Sequence, residues 1–148
     1  MKNIMIATDG SESAEQALEV AIELARELGA SLQVVAVRPP LPVGHTGPSP
    51  AVLEVDEEHG AERIAAAAAD RAKEAGVDAT PHTARGPVVD NIVSAVHELG
   101  VDLVVVGSRG HGAIAGVMLG SVSHALIRQS PVPVTIVRKV AVPAAAGA

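Results

Sequence analysis

The chain has 148 residues, 48% of them hydrophobic, with no Phe, Tyr, Trp or Cys and a formal net charge of -6. That length suits a single core burying about two thirds of its unfolded surface, and the core must be built from Val, Ile, Leu, Ala and Met. The absent aromatics exclude stacking platforms for bases, the scattered 11 Lys and Arg oppose a nucleic-acid or anionic-membrane surface, and zero cysteines exclude disulfides and thiolate metal sites.

In chain order, residues 3 to 8 read as a short buried strand that ends at Asp9-Gly10-Ser11, a turn signal that also offers a helix cap. Ala14, Ala17, Leu18, Ala21, Leu24, Ala25 and Leu28 recur at helical spacing, with Glu12 and Glu15 near the positive end and Gly29 as the stop. Leu32 to Val37 is a second valine-rich strand, parallel to the first. From Arg38 to Pro50 the chain carries five prolines and is expected to form a loop, read either as a surface connection or as a flap over a ligand. A helix follows, best marked from Ala61 to Ala75, with a start anywhere from Ala51 onward and a stop at Gly76.

Val77 to Ala84 is the weakest strand, because Pro81 cannot donate a ladder hydrogen bond and belongs at a sheet edge. Gly86-Pro87 starts another helix with proline in the first position, and Val89, Ile92, Val93, Val96 and Leu99 form its buried stripe. Asp102 to Val106 is a central strand covered on both faces. A helix from Ser121 to Gln129, a break at Pro131 and a last strand from Val132 to Val137 complete the pattern, and residues 141 to 148 are expected to be a disordered tail behind a single domain spanning 1 to 140. Five strands alternating with four helices predict an α/β, Rossmann-like three-layer sandwich with a parallel sheet and helices on both faces. The run Ile4 to Ala7 is too short for a secretory segment, and no stretch approaches the ~18 apolar residues of a membrane span. A soluble, cytoplasmic protein is expected.

The chemistry concentrates in residues 107 to 121, GSRGHGAIAGVMLGS, which join a strand end to a helix start. Glycines let a backbone approach phosphate closely, and a helix N-terminus adds partial positive charge. A P-loop is excluded, since no lysine lies between Gly86 and Gln129, and the dinucleotide fingerprint is not met, since Gly107, Gly110 and Gly112 run in reverse spacing after the fourth strand. The spacing Gly107-x2-Gly110-x9-Gly120-Ser121 resembles that of the universal stress protein family, whose nucleotide-binding members carry G-x2-G-x9-G followed by Ser or Thr. The resemblance extends to Asp9-Gly10-Ser11, to Gly86-Pro87, to the run from Val101 to Gly110 and to the proline-bracketed strand Pro131 to Val137.

What the resemblance implies is a strand order 3-2-1-4-5, a homodimer, and ATP, or AMP or ADP in its place, at the carboxyl ends of the strands, with Mg²⁺ able to accompany ATP. Phosphates are then assigned to the N–H groups of Gly110, Gly120, Ser121 and Val122 with the Ser121 hydroxyl, and Thr8 and Ser123 stand beside them. Gly107 would pass under the ribose, Asp9 would contact the nucleoside, and Val37 would offer its backbone to the adenine edge. Ser121 can cap the last helix as well as bind, Asp9 could instead cap the first helix, Arg109 could neutralise phosphate or be a solvated loop residue, and His111 could donate to phosphate or lie exposed. The other histidines have no metal-ligand spacing. No carboxylate falls within residues 103 to 130, so the loop looks suited to holding a nucleotide rather than turning it over. The expected function is that of an ATP-binding or other adenine-nucleotide-binding stress-response protein acting as a regulatory or sensor dimer. The alternatives are a slow hydrolase or phosphotransferase with at most weak ATPase activity, and a binder of AMP or cyclic AMP. Pairing of Val132 to Val137 with its copy would cover an apolar sheet edge.

Overall fold

The computed structural model describes residues 1–38, 50–108 and 120–138, with the backbone alone for 50–58. Five strands, β1 (Asn3–Ala7), β2 (Ser31–Arg38), β3 (Ala79–Arg85), β4 (Leu103–Gly107) and β5 (Val134–Val137), alternate with four helices, α1 (Glu12–Leu28), α2 (Pro50–Glu74), α3 (Val88–Leu99) and α4 (Ser121–Gln129). The sheet is parallel throughout, in the order β3-β2-β1-β4-β5. This is the expected α/β architecture.

The period-two alternation of a strand explains why continuous apolar runs form the centre. Ile4, Ile6, Leu32, Val34 and Val105 point to one face, against Ala17, Leu18 and Ala21 of α1 and Ala65, Ala68, Ala69 and Ala72 of α2. Met5, Val35, Val104 and Val106 point to the other, against Ile92 and Val96 of α3 and Leu126 of α4. With no aromatic residue to fill space, the alanine face of α2 lets that helix lie close on the sheet. Arg71 of α2 bridges Glu15 and Glu19 of α1, an exposed arrangement that contributes little to stability.

Polar groups tie the amino ends of the strands. Asn3 Nδ2 donates to Leu99 O at 2.6 Å, which leaves its Oδ1 to accept from Gln33 Nε2 at 3.0 Å. Gln33 Oε1 then faces His82 Nε2 at 2.6 Å, which makes that nitrogen the donor. The chain thus pins α3, β1, β2 and β3 together.

Several boundaries differ from the sequence expectation. Arg38 belongs to β2, where it pairs with Arg85, rather than to the following loop. Helix α2 begins at Pro50, ahead of the earliest expected start, with proline at a position where the missing N–H costs nothing. Pro87 is the N-cap of α3 and not its first residue, and its carbonyl accepts from Asn91 N. Asp102 lies before β4, its carboxylate turned back onto the N–H groups of Lys2 and Asn3. The last strand starts at Val134 because Ser130 and Val132 are held in a turn by the Ser130 hydroxyl. Strand β3 is an edge strand, as Pro81 requires. The bulk of the expected loop, residues 39–49, and the expected disordered tail, 141–148, lie outside the described residues.

Candidate functional site at the carboxyl ends of β1 and β4

After β1 the chain crosses to the face covered by α1, and after β4 it reaches the opposite face through α4. Because β1 and β4 are neighbours, with Ala7 paired to Val106, and the chain leaves them towards opposite faces, their carboxyl ends form a topological switch point. Such a switch point is where ligands bind in open α/β sheets.

The β1 lip is built by local bonds. Thr8 N donates to Val35 O at 2.9 Å, and the Thr8 hydroxyl accepts from Gly10 N at 3.1 Å. Asp9 Oδ1 accepts from Ser11 N at 2.9 Å, closing an Asx turn. Gly10 turns the chain at φ 77°, in the left-handed region, and sits beneath Ile64 of α2. Ser11, and not Asp9, is the N-cap of α1, its hydroxyl accepting from Ala14 N at 3.2 Å. The carboxylate of Asp9 therefore acts in the turn rather than as the cap.

The β4 lip is closer packed. Gly107 lies directly against Ser13 of α1, with no room for a side chain between them. Ser108, 3% exposed, donates its N–H to Val137 O at 2.9 Å. The chain returns at Gly120, whose N–H donates to Ser108 O at 2.6 Å. That N–H is engaged within the protein. Gly120 is also the N-cap of α4, which places Ser121 at the first helical position, exposed, with no cap for its hydroxyl to make. The first intrahelical bond runs from His124 N to Gly120 O at 3.0 Å. The N–H groups of Ser121, Val122 and Ser123 precede it and are the donors that the positive end of α4 offers, those of Ser121 and Val122 standing first. Ser123, 3% exposed, turns its hydroxyl inward, to Ser108 O and Gly120 O.

Of the residues named from sequence, Thr8, Asp9, Val37, Gly107, Gly120, Ser121, Val122 and Ser123 all stand at the carboxyl end of the sheet. Arg109, Gly110 and His111 lie outside the described residues. Two residues that the glycine spacing does not point to also build the junction: Ser13, which Gly107 packs against, and Ser108, whose carbonyl gathers two donors, while Arg38 is buried at the end of β2. Only the serine flanked by glycine and arginine at Ser108 carried a sequence signal, within the family-like run. The glycines and the uncommitted N–H groups fit a phosphate-bearing ligand, because they offer backbone donors without side-chain bulk. Among the described residues there is no grouping of three or more His, Asp or Glu side chains suited to a metal ion, and no helix is long and apolar enough to cross a membrane.

A family model described as the universal stress protein family matches residues 1–138. Universal stress protein YxiE of Bacillus subtilis is 37% identical over 144 residues, covering 91% of this chain and 97% of its own length. A universal stress protein solved in complex with cAMP is 32% identical with a TM-score of 0.71, over 92% of this chain and 96% of that one. A universal stress protein from Archaeoglobus fulgidus has the same fold, with a TM-score of 0.74 at 23% identity over 92% of this chain and 98% of that one. The match over nearly the whole chain, on a sheet of this order and with glycines at both lips, establishes that the chain belongs to the universal stress protein family.

Proposed function

We propose that this protein binds an adenine nucleotide, ATP or a monophosphate such as AMP or cyclic AMP, in the crevice between Asp9 and the start of α4, and that it acts as a regulatory or sensor dimer. The observation that carries the reading is the junction of β4 and α4. There a side-chain-free Gly107 follows the β4 residue that pairs with the end of β1, and α4 opens with uncommitted N–H groups at Ser121 and Val122. The related protein solved with cAMP, at 32% identity, supports an adenine ligand. Gly107 would lie under the ribose, Val37 would offer its backbone to the base, and Ser121 would add its exposed hydroxyl. Mg²⁺ would accompany ATP through the phosphates.

The dimer reading is supported by β5, which among the described residues has a strand partner on one side only. Val134, Thr135, Ile136 and Val137 are half-buried, and Ile127 of α4 is 53% exposed nearby in sequence. Pairing β5 with its copy through the Val132 to Val137 segment would satisfy the open edge.

Calorimetric titration with ATP, ADP, AMP and cyclic AMP, with phosphate release followed in parallel, tests the nucleotide reading. The informative variant is Ser121→Asp. A carboxylate at the first position of α4 favours the helix end by about 0.3–1 kcal/mol, yet repels phosphate. The expected result is a fold at least as stable with nucleotide affinity lost. No binding to the unaltered protein would refute the site, and phosphate release well above the Ser121→Asp level would make the protein a hydrolase. Sedimentation at micromolar concentration reads the dimer, and a monomer there would reject it.

A further inference from the structure

We infer that Ser123 is a positioning residue for the phosphate-binding end of α4, a role resting on the nucleotide reading above. Its hydroxyl is 3.2 Å from Ser108 O and 3.1 Å from Gly120 O. Ser108 O is at the same time the acceptor of Gly120 N–H at 2.6 Å. One carbonyl at the end of β4 thus faces donors from both the N-cap and the third residue of α4, while Ser108 N is anchored on Val137 O of β5.

A serine early in a helix commonly bonds the carbonyl three residues back, which would tie Ser123 to Gly120 and nothing else. Here the same hydroxyl also reaches the strand. It carries a single proton, so it donates to either carbonyl in turn, and either way it stays in the space between strand and helix. At 3% exposure no solvent competes for it. The consequence is mechanical: Gly120, Ser121 and Val122 are held against Ser108 at both ends of a short arc. The N–H groups of Ser121 and Val122 are fixed in direction before a ligand arrives. Donors held in place by a buried supporting bond need no reordering when an anion binds. Ser123 itself, being turned inward, need not touch the nucleotide.

The pair Ser123→Thr and Ser123→Val isolates the hydroxyl, since the two side chains share a shape and differ in the donor. Ser123→Ala removes the donor without added bulk. Each variant is titrated with AMP and with adenosine, its unliganded melting is recorded, and amide hydrogen exchange is read at Gly120. We expect Ser123→Val and Ser123→Ala to bind AMP about tenfold more weakly and to exchange the Gly120 amide about tenfold faster, with adenosine affinity changed by less than about twofold and Ser123→Thr close to the unaltered protein. A melting curve that keeps its cooperativity excludes simple unfolding as the cause. Equal losses for AMP and adenosine, or AMP binding by Ser123→Val equal to that of Ser123→Thr, would overturn the role while leaving the nucleotide reading intact. Where the unaltered protein binds another of the four nucleotides in place of AMP, that nucleotide is the probe; failure to bind any of ATP, ADP, AMP and cyclic AMP would remove that reading, and this one with it.

Discussion

Gly107 and Ser13 meet so closely that a Cβ on the glycine would lie 2.5 Å from Ser13 Oγ and 2.7 Å from both the carbonyl carbon and oxygen of Ser13. A hydroxyl can rotate away, but the backbone of a helix seated on the sheet cannot. Gly107→Ala must therefore push α1 from β4 and is expected to destabilise the fold by about 1–3 kcal/mol. The crevice would open at the same point, so nucleotide affinity should fall as well. Urea unfolding reads the first effect and calorimetric titration the second. A variant as stable as the unaltered protein would mean that α1 can shift freely.

The packing of Gly107 shows what a sequence can and cannot reveal about this site. Its glycine spacing was legible, because single glycines after a strand are often mere turns but Gly107, Gly110, Gly120 and Ser121 together match one family spacing. Its partner was not, since Ser13 lies on another element and nothing local marks it. The same holds for Gly120, whose N–H is taken by Ser108 O, a bond that only the returning chain makes. In the fold, strands β1, β2 and β4 were legible as apolar runs, and Pro81 marked the edge. Boundaries shifted where a side chain competes with the ladder, as Asp102 does by turning back to Lys2 and Asn3. The buried Arg38 reads as a loop residue in the sequence because charge and adjacent prolines outweigh one strand-end position in any sequence pattern.

Gly10 combines two constraints that can be separated. Its φ of 77° is one that side chains rarely adopt, and a Cβ there would lie 3.1 Å from Ile64 Cδ1 and 3.2 Å from its Cγ1. Gly10→Ala should cost about 1–2 kcal/mol from the backbone alone. Made in an Ile64→Val background, which removes the nearest atom, the same change should cost less by about 0.5 kcal/mol or more. A double-mutant cycle in urea measures the coupling. Strict additivity would assign the whole penalty to the backbone.

Ser11 caps α1 through the bond from Ala14 N to its hydroxyl, in a position only 8% exposed. Water cannot readily replace that acceptor, so Ser11→Ala should destabilise by about 1 kcal/mol. Ser11→Asp keeps an acceptor and places charge at the positive helix end, and should recover most of the loss. Since the Asx bond from Ser11 N to Asp9 survives both changes, nucleotide affinity should change less than stability. Thermal melting and titration of the two variants check the pattern, and equal stability of both with the unaltered protein would show the cap to be idle.

Asp102 provides a pH signature remote from the crevice. Its carboxylate accepts from Lys2 N at 2.9 Å and from Asn3 N at 3.0 Å, and these two bonds, aided by the charge of the N-terminus, hold its pKa below the ordinary 3.8 against a smaller opposing effect of burial. A folded pKa lower than the unfolded one means that, as pH falls, the unfolded chain takes up this proton first. The stabilisation is thus fully present above the ordinary carboxylate value. It drains away as pH falls through that value towards the lower folded one. Asp102→Asn lacks the charge and has nothing to lose on acidification. The unaltered protein should therefore be the more stable of the two at pH 6, and the gap should narrow steadily below about pH 4. Urea unfolding of both proteins across that range measures it. Parallel stability curves would show that the bonds to Lys2 and Asn3 do not favour the ionised carboxylate.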